Sequence, residues 1–262
     1  MIDIHSHILP GVDDGAKSIQ NSIDMLRNAS KAGVRIIVAT PHLLSGMFEN
    51  GIPERLDLIK KLQNLADRNA IKIQIKPGYE CYISPKMIRL GEKLFEWTIN
   101  NNRKYMLLEL PMQNMPLFVD NTLDSIKKMG ITPIIAHPER YVNVIKDPKI
   151  LIKFIEMGCV IQLNAGSILN YYGRTVRNTA RTLLERNYIH VVASDMHSTS
   201  SFMLSQALSA ASALIGFDKA SQMFDEIPYK IVMGEDFERE IPMQYNIKRK
   251  SLRERIFGVG KK

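Results

Sequence analysis

Apolar and polar positions follow two alternating rhythms along this chain. Short runs rich in Val, Ile and Leu, at residues 2–4, 34–40, 72–76, 105–108, 131–136, 160–164 and 190–193, have the length and composition of buried strands. Between them lie segments whose apolar residues recur at helical spacing, at residues 18–31, 53–68, 85–95, 117–128, 148–157 and 174–186. In the first of these Ile19, Ile23, Leu26 and Ala29 share a face, and Gly33 follows as a stop. Strand and helix thus alternate about seven times, which predicts a parallel sheet closed or nearly closed into an α/β barrel. The apolar window 203–217 is interrupted by Gln206 and several serines, so it reads as a packed helix rather than a membrane span.

Composition adds bounds to this picture. A chain of 262 residues, 45% hydrophobic and without a long linker, fits one domain of the size usual for such barrels. We expect that domain over residues 1–245 and a short basic tail over 246–262. The tail holds Lys248, Arg249, Lys250, Arg253, Arg255, Lys261 and Lys262 against Glu254, seven cations to one acid. That net +6 out of +8 leaves the body near +2, and with no aromatic-basic stripe a nucleic-acid partner is not expected. The tail reads as a solvated extension, or as a weak contact to anionic lipid or an acidic protein. Residues 43–52, with Gly46 and Gly51, read either as a flap or as an ordinary surface loop. Cys81 and Cys159 lie beside or within apolar runs in no disulfide-like pattern, and the opening residues enter a strand at once, with no signal peptide. A soluble, cytoplasmic protein is the expectation, and the oligomeric state stays open.

The candidate chemistry sits at the strand ends. Five of the six histidines fall there, mixed with carboxylates in equivalent places: His5-Ser6-His7, Pro41-His42, Glu80, Glu109, His137 and Asp195-Met196-His197. Taken singly, a histidine at a strand end is more often a hydrogen-bonded structural residue. His-x-His is a stronger signal, because one intervening residue on an extended chain puts both rings on one face. Glu109, arriving after Met106-Leu107-Leu108, would be costly to bury as an unpaired ion, and metal ligation removes that cost. Barrel chemistry collects at the carboxyl ends of strands, and imidazole with carboxylate suits zinc, manganese or iron. His190 precedes its strand and reads as structural. Asn164-Ala165-Gly166-Ser167 reads as a turn or as a ligand-orienting group, and Phe95, Trp97 and the methionines as core.

These motifs carry a resemblance. The opening Met1-Ile-Asp-Ile-His-Ser-His-Ile-Leu-Pro-Gly-Val-Asp-Asp-Gly is similar to the polymerase-and-histidinol-phosphatase (PHP) superfamily. Together with Thr40-Pro41-His42, Gly78-Tyr79-Glu80, Glu109-Leu110-Pro111, His137-Pro138-Glu139-Arg140-Tyr141 and Ser194-Asp195-Met196-His197, it resembles the CpsB/YwqE type of manganese-dependent bacterial tyrosine-protein phosphatase over about residues 1–240. The resemblance implies a distorted (β/α)7, TIM-like barrel. It implies up to three ions, manganese first and iron or zinc otherwise: one held by His5, His7, Glu80 and Asp195, a second by Glu80, Glu109 and His137, and a third by Asp14, His42 and His197. Arg140 would clamp the phosphate. Relatives often carry an arginine a few residues after Asp-x-His, whereas residues 198–204 contain none.

The reaction so implied is hydrolysis of protein phosphotyrosine, with water activated by the ions and His42 as a candidate proton donor. The implied partner is a tyrosine kinase of polysaccharide export. A cysteine phosphatase loop, Cys-x5-Arg, would need arginine where Met87 and Ala165 stand, and no Gly-x-Ser-x-Gly elbow or Gly-x4-Gly-Lys loop occurs. A histidinol-phosphate type or nucleic-acid phosphoesterase is the alternative within the same chemistry, and a non-catalytic kinase-docking scaffold the alternative outside it.

Overall fold

The computed structural model of the chain describes residues 1–43, 52–240 and 242–243. The core of the expected flap and the basic tail lie outside these residues.

Nine strands among the described residues build the frame: β1 (Ile2–Ser6), β2 (Ile36–Ala39), β3 (His42–Leu43), β4 (Gln74–Pro77), β5 (Glu80–Tyr82), β6 (Tyr105–Glu109), β7 (Thr132–Ile135), β8 (Val160–Asn164) and β9 (Val191–Ala193). All pairings are parallel, in the orders β1-β2-β4 and β3-β5-β6-β7-β8-β9. The two sheets are one ring. β2 runs on through Thr40-Pro41 into β3, and β4 through Gly78-Tyr79 into β5, so two of the seven expected strands are each broken into a lower and an upper piece. Proline lacks the N–H a ladder needs, which accounts for the first break. At the second, a Cβ on Gly78 would lie 2.7 Å from Val38 Cγ1, so only glycine permits the approach. The ring closes where β1 meets the end of β9. Asp195 N donates to His5 O (2.9 Å), His7 N donates to Met196 O (3.0 Å), and Asp3 Oδ1 accepts from Ser194 N (2.9 Å).

Helices cover the outside: α1 (Ile19–Lys31), α2 (Ile52–Arg68), α3 (Phe118–Lys128), α4 (Val142–Lys146), α5 (Ile150–Glu156), α6 (Ala165–Ile168), α7 (Arg174–Glu185), α8 (Leu204–Ile215), α9 (Phe217–Ser221) and α10 (Ile227–Met233). Helix α1 starts because the Ser18 side chain accepts from Asn21 N (3.2 Å), and its buried face is Ser22, Ile23, Met25, Leu26 and Ala29. Ile19, which the spacing assigned to that face, is exposed instead. The segment expected as a helix over 85–95 is a run of 3-10 turns, Pro85–Trp97, because Gly91 at φ 55 breaks it.

Two apolar layers result. The larger packs the outer faces of the strands on the helices. The smaller fills the barrel with alternate residues, among them Ile36 and Val38, Tyr105 and Leu107, Ile134 and Ala136, Val191 and Ala193. Ile231 and Val232 of α10 join this layer, and Tyr105 Oη donates to Glu235 O (2.7 Å), closing the floor. No described helix is long and apolar enough to cross a membrane.

His190 stands near that floor and is structural, as its position before β9 predicts. Its Nδ1 accepts from Ile161 N (3.0 Å), and burial, with Arg239 nearby, pushes its pKa down to about 3. In the unfolded chain the ring titrates near 6.5. The unfolded state therefore binds the extra proton first, and stability is lost as pH falls from about 6.5 toward 3. We expect this residue to cost about 2 kcal/mol by pH 5. His190→Asn, whose amide oxygen can take the same N–H, should flatten the acid limb of a urea-denaturation pH series; parallel curves would refute the assignment.

Candidate metal centre

Every strand-end residue singled out by its position arrives at one mouth. A β-bulge in β1 decides where the His-x-His pair points. Asp3 is opposite Ile37 but Ser6 is opposite Ala39, so β1 carries one extra residue there. Ile4 faces the barrel interior, and past the bulge His5 turns to the same lumen, where its ring meets Gln162, Glu80 and Asp195.

The innermost group is His5, His7, Glu80 and Asp195, all buried. The two histidine Nε2 atoms are 3.2 Å apart. Glu80 Oε2 lies 3.2 and 3.4 Å from them, and Asp195 Oδ1 lies 3.3 and 3.4 Å. Those two oxygens are buried and have no hydrogen-bond partner among the described residues. Leaving buried carboxylate oxygens unpartnered is expensive. Their spacing matches donors about 2.1 Å from a common ion, which puts neighbours about 3.4 Å apart in a tetrahedral arrangement. These residues fit a divalent cation.

Two further groups share members with the first. His42, Glu80 and Glu109 converge on one side; His137 Nε2 is 2.9 Å from Glu80 Oε1 and 3.9 Å from Glu109 Oε1. His7, Asp14, His42 and His197 converge on the other, with Asp14 Oδ1 3.3 Å from His197 Nε2 and 3.5 Å from His42 Nε2. Glu80 is the hub, since His5, His7, His42 and His137 all reach its carboxylate. The charges show the same organisation. Burial opposes ionisation here, yet Glu80 and Asp195 hold the His5 pKa up at about 9, and the imidazoles hold Glu80 well below the carboxylate range. Burial and the Glu80 charge together raise Glu109, while a hydrogen bond to His197 draws the more open Asp14 down to about 2. The carboxylates demand positive charge, and a cation bound by neutral imidazoles would supply it.

A second layer of residues aims these groups, and most of it went unread in the sequence. Asp13, beside the expected Asp14, takes the other nitrogen of His7 (Oδ2 to Nδ1, 2.8 Å) and accepts from His42 N (3.0 Å). Gln162 Oε1 meets His5 Nδ1 (3.0 Å), its amide donates to Asn164 Oδ1 (2.8 Å), and Asn164 Nδ2 donates to Asp195 Oδ2. A closed circuit of side chains so runs from His5 through β8 to Asp195. Its sequence signal was a polar pair two residues apart in the otherwise apolar Val160–Asn164 strand. Asn164 thus both bonds Asp195 and is the N-cap of α6, which begins at the next residue.

The His-Pro-Glu-Arg-Tyr block is used throughout. Tyr141 Oη donates to Ala136 O (2.6 Å) and accepts from Leu110 N (3.0 Å), which ties together the strand ends bearing His137 and Glu109. Glu139 accepts from Asn164 N (3.1 Å) and from the Ser167 hydroxyl. Arg140 Nη1 lies 3.3 Å from Asp195 Oδ2. His137 (φ 34) and Asp195 (φ 51) sit in left-handed backbone, a conformation that costs about 1–3 kcal/mol each and gathers at functional sites.

Gly15 of the Asp-Asp-Gly block folds the loop back on His7. A Cβ there would fall 2.1 Å from His7 O. Gly15→Ala should therefore displace Asp13 and Asp14 together and cost about 3 kcal/mol. A melting curve and bound-metal content like those of the unaltered protein would contradict this.

A parallel α/β barrel with imidazoles and carboxylates converging on its carboxyl-end mouth belongs to the class of barrel proteins built around a metal centre. The chain belongs, more narrowly, to the capsular polysaccharide synthesis family CpsB/CapC, whose profile matches residues 1–233. It is 36% identical over 242 residues to the tyrosine-protein phosphatase CpsB of Streptococcus pneumoniae, covering 90% of this chain and 99% of that one. It is 34% identical over 210 residues to the tyrosine-protein phosphatase YwqE of Bacillus subtilis, covering 79% and 82%. A crystal structure from work on YwqE and CpsB, described as metal-dependent tyrosine phosphatases, superposes with a TM-score of 0.88 at 30% identity, covering 94% of this chain and 100% of that one. Histidinol phosphate phosphatase of Lactococcus lactis shares the fold alone, at a TM-score of 0.53 and 14% identity over 84% of this chain and 94% of that one.

Proposed function

We propose that this chain is a metal-dependent phosphatase that hydrolyses protein phosphotyrosine. The observation that carries the reading is the pair of orphaned buried oxygens, Glu80 Oε2 and Asp195 Oδ1, facing the two Nε2 atoms of His5 and His7. The names of the relatives supply the phosphotyrosine. Residues 1–245 form the catalytic domain in this reading and 246–262 a basic extension able to touch an acidic partner or anionic lipid.

Divalent ions, manganese first and iron or zinc otherwise, up to three per chain, would neutralise the phosphate and lower the proton affinity of water. His5, His7, Glu80 and Asp195 would hold one ion, Glu80, Glu109 and His137 a second, and Asp14, His42 and His197, with His7 close by, the third. Arg140 is a quarter exposed at the rim and would bind two phosphate oxygens through its planar fork. We assign proton donation to His42, a part-exposed imidazole of the cluster. The departing phenol has a pKa of about 10, so modest help suffices. The substrate we infer is the tyrosine-rich segment of a kinase of polysaccharide export, met in the cytoplasm; the two buried free cysteines agree with a reducing compartment.

Protein stripped with a chelator should be inactive and recover with manganese on a phosphotyrosine peptide, in preference to a phosphoserine peptide, histidinol phosphate and a short oligonucleotide. Preference for histidinol phosphate would transfer the assignment to a small-molecule phosphatase, and inactivity on all four would leave a docking scaffold. Arg140→Ala should act mainly on KM, with the metal content kept.

A further inference from the structure

We propose that Tyr172 is a positioning residue for the phosphate clamp. Its aromatic face fixes the Arg140 guanidinium at the rim and keeps it from settling onto Asp195. The inference rests on the reading of Arg140 as the phosphate-binding group and extends it to a residue outside every motif quoted above.

Arg140 is held weakly for a residue with that task. The one hydrogen bond of its guanidinium among the described residues, Nη1 to Asp195 Oδ2, spans 3.3 Å, longer than the roughly 2.7–2.9 Å of a strong charge-assisted bond. The same Oδ2 already accepts from Asn164 Nδ2. Asp195 is also one of the four residues of the innermost group, so an arginine drawn fully onto it would compete with that role. The opposing support is Tyr172. The guanidinium carbon lies over its ring, 4.5 Å from the centre, a cation–π contact. With one face on an aromatic ring and one N–H directed at Asp195, the remaining donors of the fork are left for phosphate oxygens.

Tyr172 is itself held from three sides. Its ring meets Tyr171 edge-on at 5.1 Å and 88°, and its hydroxyl lies 3.5 Å from Asn164 Nδ2. Gly166 lets the loop close, because a Cβ there would be 3.3 Å from Tyr172 Cε2 and 3.2 Å from Tyr171 Cβ. The Tyr171 N–H to Gly166 O bond (2.9 Å) fastens the turn. The loop after β8 therefore delivers an aromatic plate to a residue that follows β7, and through Asn164 it touches the network that orients Asp195.

The test uses the full-length, manganese-loaded protein. Tyr172→Leu should raise KM for a phosphotyrosine peptide roughly tenfold and weaken inhibition by inorganic phosphate by the same factor. Bound metal, melting temperature and kcat should stay close to those of the unaltered protein, and Tyr172→Phe, which keeps the ring, should restore KM. In an Arg140→Ala background the Leu change should add nothing, since both act through one group. Unchanged KM and phosphate inhibition in Tyr172→Leu, loss of metal in that variant, or additive effects with Arg140→Ala would each overturn the proposal. If no phosphoester is turned over at all, the phosphatase reading fails, while calorimetric titration with inorganic phosphate still decides whether Tyr172 and Arg140 act together.

Discussion

Glu80→Gln is expected to fold and to lose both its bound metal and its turnover, with activity falling on the order of 10³-fold or more, about 4 kcal/mol of lost stabilisation. The size follows from the position of this carboxylate. Four imidazoles reach it, from His5, His7, His42 and His137, and it belongs to two of the three ligand groups. An amide keeps the shape but removes the negative charge and one of the two acceptor oxygens. No neighbour can take over, because Glu109 reaches only the His137 side at 3.9 Å and Asp195 serves the opposite side. Elemental analysis after gel filtration with manganese, beside a phosphotyrosine assay and circular dichroism, would decide it. A folded variant with normal metal content and normal turnover would remove Glu80 from the centre of the scheme.

Asp13→Asn carries the second large effect, and it concerns a residue that touches no proposed ion. Its carboxylate fixes the His7 ring through Nδ1 and anchors the backbone N–H groups of His42 and Gly15. A carboxylate behind a ligating histidine sets the tautomer and raises the basicity of the facing nitrogen, and its loss typically lowers metal affinity about 10–100-fold. We expect that range for manganese in a competition titration against a chelator. The fall in turnover should be recovered at saturating metal, which separates an aiming role from a ligand role. Failure to recover would make Asp13 a direct participant, and an unchanged affinity would make the contact incidental.

Much of this site was legible from one dimension. Histidines and carboxylates at the ends of successive apolar runs must gather at one face if those runs are parallel strands of a barrel, because the connection rule sends each strand the same way. His5, His7, His42, Glu80, Glu109, His137, Asp195 and His197 did gather there, with Asp14 among them. What stayed hidden is of another kind. The resemblance gave Asp14 a role and Asp13 none, and the fold of the loop over His7 shows that Asp13 aims the ring while Asp14 faces the cluster. Gln162 lies 157 residues from the histidine it orients, and Tyr172 reaches Arg140 by a turn whose shape hangs on Gly166.

The sequence by itself determined most element types, their order and the end of the barrel where chemistry would collect, because those follow from the local periods of strand and helix and from chain direction. The tertiary structure alone decided the bulge that swings His5 into the lumen, the close approach of Gly78 to Val38 that splits one strand, and the circuit from His5 through Gln162 and Asn164 to Asp195. Each of these depends on register between strands and on closure of the ring. Register is fixed by packing across the sheet, which no local spacing records.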